Sequence, residues 1–151
     1  MVLFVLAVRL FDLGQHDEGL HWFYQAQYRA RLLHRLLGPT QIGQMFDPAF
    51  ELESAHRAFL DLAGPYFNGY AGCDQARWLG TIARVQAENQ SVPDFSLIYP
   101  SLTLLPADQW PALNQQVNEG MGGLADTLRT GWDKMQAERR ANGTHERFCG
   151  S

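Results

Sequence analysis

The sequence predicts an all-α fold, a single-domain helical bundle of about five helices with an N-terminal helical hairpin and a long C-terminal helix. Three observations predict it. Phe23, Ala26, Ala30, Leu33 and Leu37 recur at steps of three and four, the period of one helical face. Trp110, Leu113, Val117, Met121, Leu124, Leu128, Trp132 and Met135 repeat the pattern over a longer span. The turn-forming pairs Leu13-Gly14, Gly38-Pro39, Gly64-Pro65 and Asn142-Gly143 fall between such stretches. At 151 residues the chain suits one domain, with 46% hydrophobic and 19% charged residues, a globular composition.

The opening hairpin covers Ala7 to Leu37. Gly14 suits a left-handed position just past a helix end, because it has no Cβ to clash. Gln15 or Asp17 can start the next helix, and Asp17-Glu18 puts negative charge where the helix dipole favours it. Met1 to Leu13 is apolar apart from Arg9 and Asp12. It is too short to span a bilayer and lacks the basic lead and small-residue cleavage site of a signal peptide. It also starts in mid-pattern without a capping residue, so the natural helix is expected to begin upstream.

Gly38-Pro39 should stop the second helix, since proline cannot continue it. Thr40 to Pro48 reads as a connector with a turn around Ile42 to Phe46. Ala49 to Ala63 reads as a helix ended by Gly64-Pro65, followed by an aromatic, glycine-rich packed loop to Asp74. Asp74 should cap a helix over Gln75 to Glu88, with Trp78, Ile82 and Val85 inward. Asn89 to Gln109 holds three prolines among apolar residues and reads as an irregular arm, with a weak strand-pair signal at Leu97 and Leu104. The last helix runs from Ala107 or Pro111 to Ala141. Gly120, Gly122, Gly123 and Gly131 either break it or admit a close neighbour, and one bent helix is favoured. The domain thus covers residues 1–143, and residues 144–151 form a loose tail.

A net charge of −4 lacks the basic balance of a nucleic-acid binder. Two cysteines, Cys73 and Cys149, are too few for a disulfide framework; free thiols are favoured over a single bridge. No nucleophile elbow and no phosphate-cradling glycine loop occurs. Arg29, Arg31, His34 and Arg35 are read as partners for the sixteen carboxylates. Two Glu-x-x-His pairs, Glu18/His21 and Glu53/His56, have the spacing of a di-metal bundle site. The remaining candidates, Glu88 and Glu119, stand in the wrong order for it. Surface Glu–His pairs are the ordinary reading, and no cofactor or metal is expected.

Two resemblances attach to particular residues. Ala7, Leu10, Leu13-Gly14, Asp17-Glu18-Gly19, Trp22, Tyr24 and Ala26 resemble half of a tetratricopeptide- or Sel1-type helical repeat, without a second copy at the expected spacing. Phe11 to Glu18, Trp22-Phe23-Tyr24, Gln27, Arg29-Ala30-Arg31 and Glu138 to Gly143 resemble small helical immunity-type proteins of Gram-negative bacteria. These neighbour toxins of contact-dependent or type VI secretion systems. The resemblance implies a non-enzyme that binds a cognate toxin and occludes its active site; charge and helix length argue separately for neither nucleic acid nor membrane as partner. It supplies no binding residues. The least explained exposed stretches supply the candidates instead: Tyr66, Asn68, Tyr70 and Asp74 in the first loop, Asp94, Phe95 and Tyr99 in the arm. A cytoplasmic site is expected, or a periplasmic one if a signal peptide precedes this chain. A tetratricopeptide-like scaffold is the alternative, and a di-metal enzyme at Glu18, His21, Glu53 and His56 the third reading.

Overall fold

A computed structural model describes residues 2–37 and 47–150. Among these the chain is all-helical: α1 (Val2–Asp12), α2 (His16–Leu37), α3 (Pro48–Ala71), α4 (Gln75–Glu88), α5 (Phe95–Ile98), α6 (Trp110–Ala141) and α7 (Thr144–Cys149). Five are long; α5 and α7 have only 4 and 6 residues. The Gly38-Pro39 stop and the Ile42–Phe46 turn lie outside the described residues.

The centre is α2, which packs against α1, α3, α4 and α6. Leu20, Phe23, Tyr28, Leu32, Leu33 and Leu36 are all buried along it. Its buried surface is wider than one stripe, because Tyr24, Gln25 and Gln27 are buried as well. Gly14 turns the chain from α1 into α2 at φ 79°, as its lack of a Cβ allows. A Cβ on Gly19 would lie 3.0 Å from Ala7 O and Phe11 N, so the absence of a side chain sets how closely the hairpin closes.

Helix α3 departs from expectation. Asp47 caps it, its side chain accepting from Ala49 N, and it runs through Gly64-Pro65 to Ala71. An interior proline costs about 3 kcal/mol in a lost hydrogen bond and a clash. Packing offsets that cost: Phe67 is buried, stacked on Phe23 at 4.3 Å and edge-on to Phe11 at 4.9 Å. Burying one such ring contributes roughly 1.5–3 kcal/mol and a stacked pair about 1 kcal/mol more. The expected loop to Asp74 therefore shrinks to the turn Gly72–Asp74.

Helix α4 begins where expected, with Asp74 accepting from Arg77 N. Helix α6 is continuous for 32 residues across all four glycines. Among the described residues a Cβ would meet nothing within 4 Å at Gly120, Gly123 and Gly131, and Gln86 Nε2 at 3.6 Å at Gly122. The buried line of α6 is rotated from the apolar seam onto Asn114, Val117, Met121, Ala125, Leu128, Gln136 and Arg139.

Three further expectations are corrected. The Leu97–Leu104 strand pair is absent, and α5 stands at Leu97 instead. The tail beyond Gly143 is helical from Thr144 to Cys149, after Gly143 reverses the chain at φ 76°. Cys73 and Cys149 are not free thiols but a disulfide with Cα atoms 5.5 Å apart, joining the end of α3 to α7.

Candidate functional site

The arm from Asn89 to Gln109 leaves the core through a buried amide network. Asn89 is 1% exposed at the end of α4. Its Nδ2 donates to Gln25 Oε1 at 2.6 Å and to Val85 O at 2.7 Å. Its Oδ1 accepts from Arg29 Nε at 3.1 Å, and its carbonyl accepts from Asn114 Nδ2 at 2.8 Å. Asn114 Oδ1 in turn accepts from the Tyr28 hydroxyl at 2.8 Å. Four segments meet there, and the arm's starting point is fixed by satisfied hydrogen bonds rather than by apolar contact alone.

Beyond it, Asp94 caps α5 by accepting from Ser96 N at 3.0 Å. The Ser96 hydroxyl bond holds the Asp94 carboxyl below its ordinary range. Phe95, a candidate contact residue, is instead buried. It stacks on Tyr99 at 6.2 Å and meets Trp110 edge-on at 6.5 Å. Sequence reading missed its outer neighbours: Leu97 is 78% exposed and Ile98 52%. The signal was present in Phe-Ser-Leu-Ile after a capping aspartate. In so short a helix, one buried anchor forces the adjacent apolar residues outward.

The first group of candidates does not form a loop surface. Tyr66 on α3 lies in the Phe148–Arg147 cluster of α7, at 6.1 Å and 5.3 Å. Asn68 accepts from the Tyr24 hydroxyl at 2.9 Å, which itself accepts from Trp78 Nε1 at 2.7 Å. Tyr70 donates to Asp17 Oδ1 at 2.7 Å; burial and this bond push its pKa up to about 12. The Arg77 guanidinium lies over the Tyr70 ring and 3.8 Å from Asp74, which brings Tyr70 and Asp74 together. Asn68, Tyr70 and Asp74 thus tie α2, α3 and α4 to one another, and Tyr66 ties α3 to α7.

The two Glu-x-x-His pairs go to different partners. His21 Nε2 lies 3.0 Å from Glu88, while Arg84 bridges Glu18 at 2.8 Å and Glu88 at 3.0 Å. Glu53 meets His34 at 3.5 Å and Arg57 at 3.2 Å. Glu53 and His56 line a cleft of about 780 Å³ with Arg31, His34, Arg35 and Arg57. No group of three or more potential ligands is arranged to hold a metal ion among the described residues. Three expected carboxylate partners also differ: Arg29, Arg31 and Arg35 donate to the side-chain amides of Asn89, Gln27 and Gln116.

Burial pushes His56 from 6.5 down to about 4, and it lowers His21 despite the attraction of Glu88. Between the unfolded and folded pKa values the unfolded chain holds more protons, so acid favours unfolding. The His56 contribution is complete above pH 6.5 and is lost as pH falls toward 4, and His21 acts in the same direction. The melting temperature should therefore drop over that window, and drop less in His56→Gln. Parallel curves for the two proteins would reject the assignment of this acid sensitivity to His56.

Among known proteins, the chain is 28% identical over 155 residues to an uncharacterized protein of Haemophilus influenzae. The alignment covers 99% of this chain and 57% of the relative, so the chain spans a little over half of that protein's length. No family model matches it. No solved structure matches it either.

Proposed function

We propose that this chain is a protein-binding domain of the immunity type, which neutralises a secreted toxin by covering its active site. The observation that carries the reading is the apolar pair Leu97 and Ile98, 78% and 52% exposed on a capped, anchored helix. Exposed adjacent aliphatic residues are unfavourable in water and gain when a partner covers them. Phe95 beneath and Asp94 at the cap hold them in place, so little ordering entropy is lost on binding. Asp94 is exposed beside them and Tyr99 half-buried, so the patch carries one carboxylate and an aromatic edge, which suits a basic toxin cleft.

The Cys73–Cys149 bridge favours the periplasmic placement over the cytoplasmic one, because such bonds persist in oxidising compartments. No helix among the described residues is long and apolar enough to cross a membrane.

Affinity capture of the tagged chain from its own bacterium tests the proposal, with Leu97→Asp/Ile98→Asp as the paired control. The expected result is one stoichiometric toxin, silenced at a one-to-one ratio by the wild-type chain. The double variant, altered only at exposed positions, should bind roughly 100-fold more weakly. A captured toxin held equally well by both proteins would remove α5 from the interface, and a partner without toxic activity would overturn the immunity reading.

A further inference from the structure

Arg139 carries a charge that no carboxylate among the described residues neutralises. It is 8% exposed, and no carboxylate lies within ion-pair distance among the described residues. Its Nη2 donates to Gly69 O at 2.8 Å, and its Nε is buried without a partner among the described residues. Burying a guanidinium without a counter-charge is costly, and burial lowers the pKa of Arg139 from the ordinary arginine value. Gly72 makes the arrangement fit, because a Cβ there would stand 2.5 Å from Arg139 Nη1. Gln136, one turn earlier on α6, donates to Gly72 O at 2.8 Å and holds the same turn. What Arg139 does face is sulfur: Nη2 lies 3.5 Å from Cys149 Sγ and 3.9 Å from Cys73 Sγ.

We infer that Cys73–Cys149 is a thiol-exchange site, opened by an external dithiol and poised by Arg139, which takes the Cys73 thiolate as its counter-ion. One thiolate of the external dithiol attacks Cys149 Sγ and forms a mixed disulfide there. The Cys73–Cys149 bond breaks, and its electron pair leaves on Cys73, beside Arg139. The second thiol of the dithiol then resolves the mixed disulfide, so the reagent ends as its own disulfide and the protein as Cys73 and Cys149 thiols. A stabilised leaving thiolate speeds the first bond cleavage, since a sulfur of lower pKa leaves faster.

The two sulfurs differ in what holds them. Cys73 lies in the turn Gly72–Asp74, which Gln136 holds at Gly72 O while Arg139 holds Gly69 O in the last turn of α3. Cys149 ends α7, none of whose side chains is buried. Apart from the bridge, α7 rests on the Phe148 ring against Gly69 and on Arg147 over the Tyr66 ring. Reduction thus leaves Cys73 beside Arg139 and frees α7. Two other charged groups nearby are used elsewhere. Asp74 serves Arg77, and Arg147 turns to Tyr66 and Phe148. His145 keeps Nδ1 buried without a partner and offers a control position.

The test is alkylation of the fully reduced chain with iodoacetamide across pH, with the modified cysteine located by mass spectrometry. Cys73 is expected to react with a midpoint below about 7.5, against about 8.5 for an ordinary thiol. Arg139→Gln should return the midpoint toward the ordinary value, Arg139→Lys should keep it low, and His145→Gln should leave it unchanged. In dithiol buffers Arg139→Gln should shift the equilibrium at least tenfold toward the bridged form. An ordinary Cys73 midpoint in the wild-type chain overturns the inference without any variant, whether or not Arg139→Gln folds. A midpoint that follows His145 rather than Arg139 also overturns it.

Discussion

Cys149→Ser is expected to destabilise the chain by about 4 kcal/mol, because the bridge closes a loop with a sequence separation of 76. The loss arises mainly in the unfolded state. An unfolded chain cross-linked over that separation has far fewer conformations than an open one, and serine restores them. The folded state loses less, since α7 buries no side chain and is the smallest part of the bundle but for α5. A domain of this size should melt roughly 10 °C lower. Urea unfolding of the oxidised wild type, the reduced wild type and Cys149→Ser measures this directly. The last two should coincide, both well below the first. A loss under about 1 kcal/mol would mean that the unfolded chain is already compact around these residues. Loop length and Arg139 oppose each other: the separation raises what the bond contributes to stability, whereas a guanidinium that favours the folded thiolate form lowers that contribution and lets a dithiol open the bond more readily.

The parts of this fold that were legible in the sequence are those whose cause is local. Gly14 needed only its own φ, and Asp74 only the backbone N–H of Arg77 three residues on. The apolar period of α6 outweighed its four glycines, each of which costs only about 1 kcal/mol. Features caused by distant residues stayed hidden. Pro65 inside α3 is tolerated because Phe67 stacks on Phe23, a partner 44 positions away in the chain. The bridge between Cys73 and Cys149 has no local signature at all. The candidate surface shows the same division. An unusual arm was visible from its prolines, but which of its apolar residues point inward depends on Trp110 meeting Phe95. Choosing Phe95 as a contact residue therefore selected the anchor and passed over Leu97 and Ile98, which the anchor presents to solvent.

The same distinction makes Asn89 the most informative polar position. It follows α4 at the start of the arm, where an asparagine ordinarily reads as a solvated helix end. Here it is 1% exposed and bonded to Gln25, Arg29 and Val85. Asn89→Leu keeps the volume but leaves the Gln25 amide and Arg29 Nε facing a hydrocarbon. Each stranded group costs roughly 1–3 kcal/mol, so a destabilisation of about 3 kcal/mol is expected. A mere loss of packing would cost much less, because leucine fills the site. A double-mutant cycle separates the two causes. Gln25→Leu alone should also destabilise, while adding it to Asn89→Leu should restore about 1 kcal/mol relative to the sum. Hydrogen exchange adds a spatial readout. If the network fixes the arm, amides from Ser91 to Leu105 should lose protection in Asn89→Leu while those of α1 keep theirs. Strict additivity in the cycle, with the arm's protection unchanged, would show that the network serves α4 alone and that α5 is positioned by the Phe95–Trp110 contact.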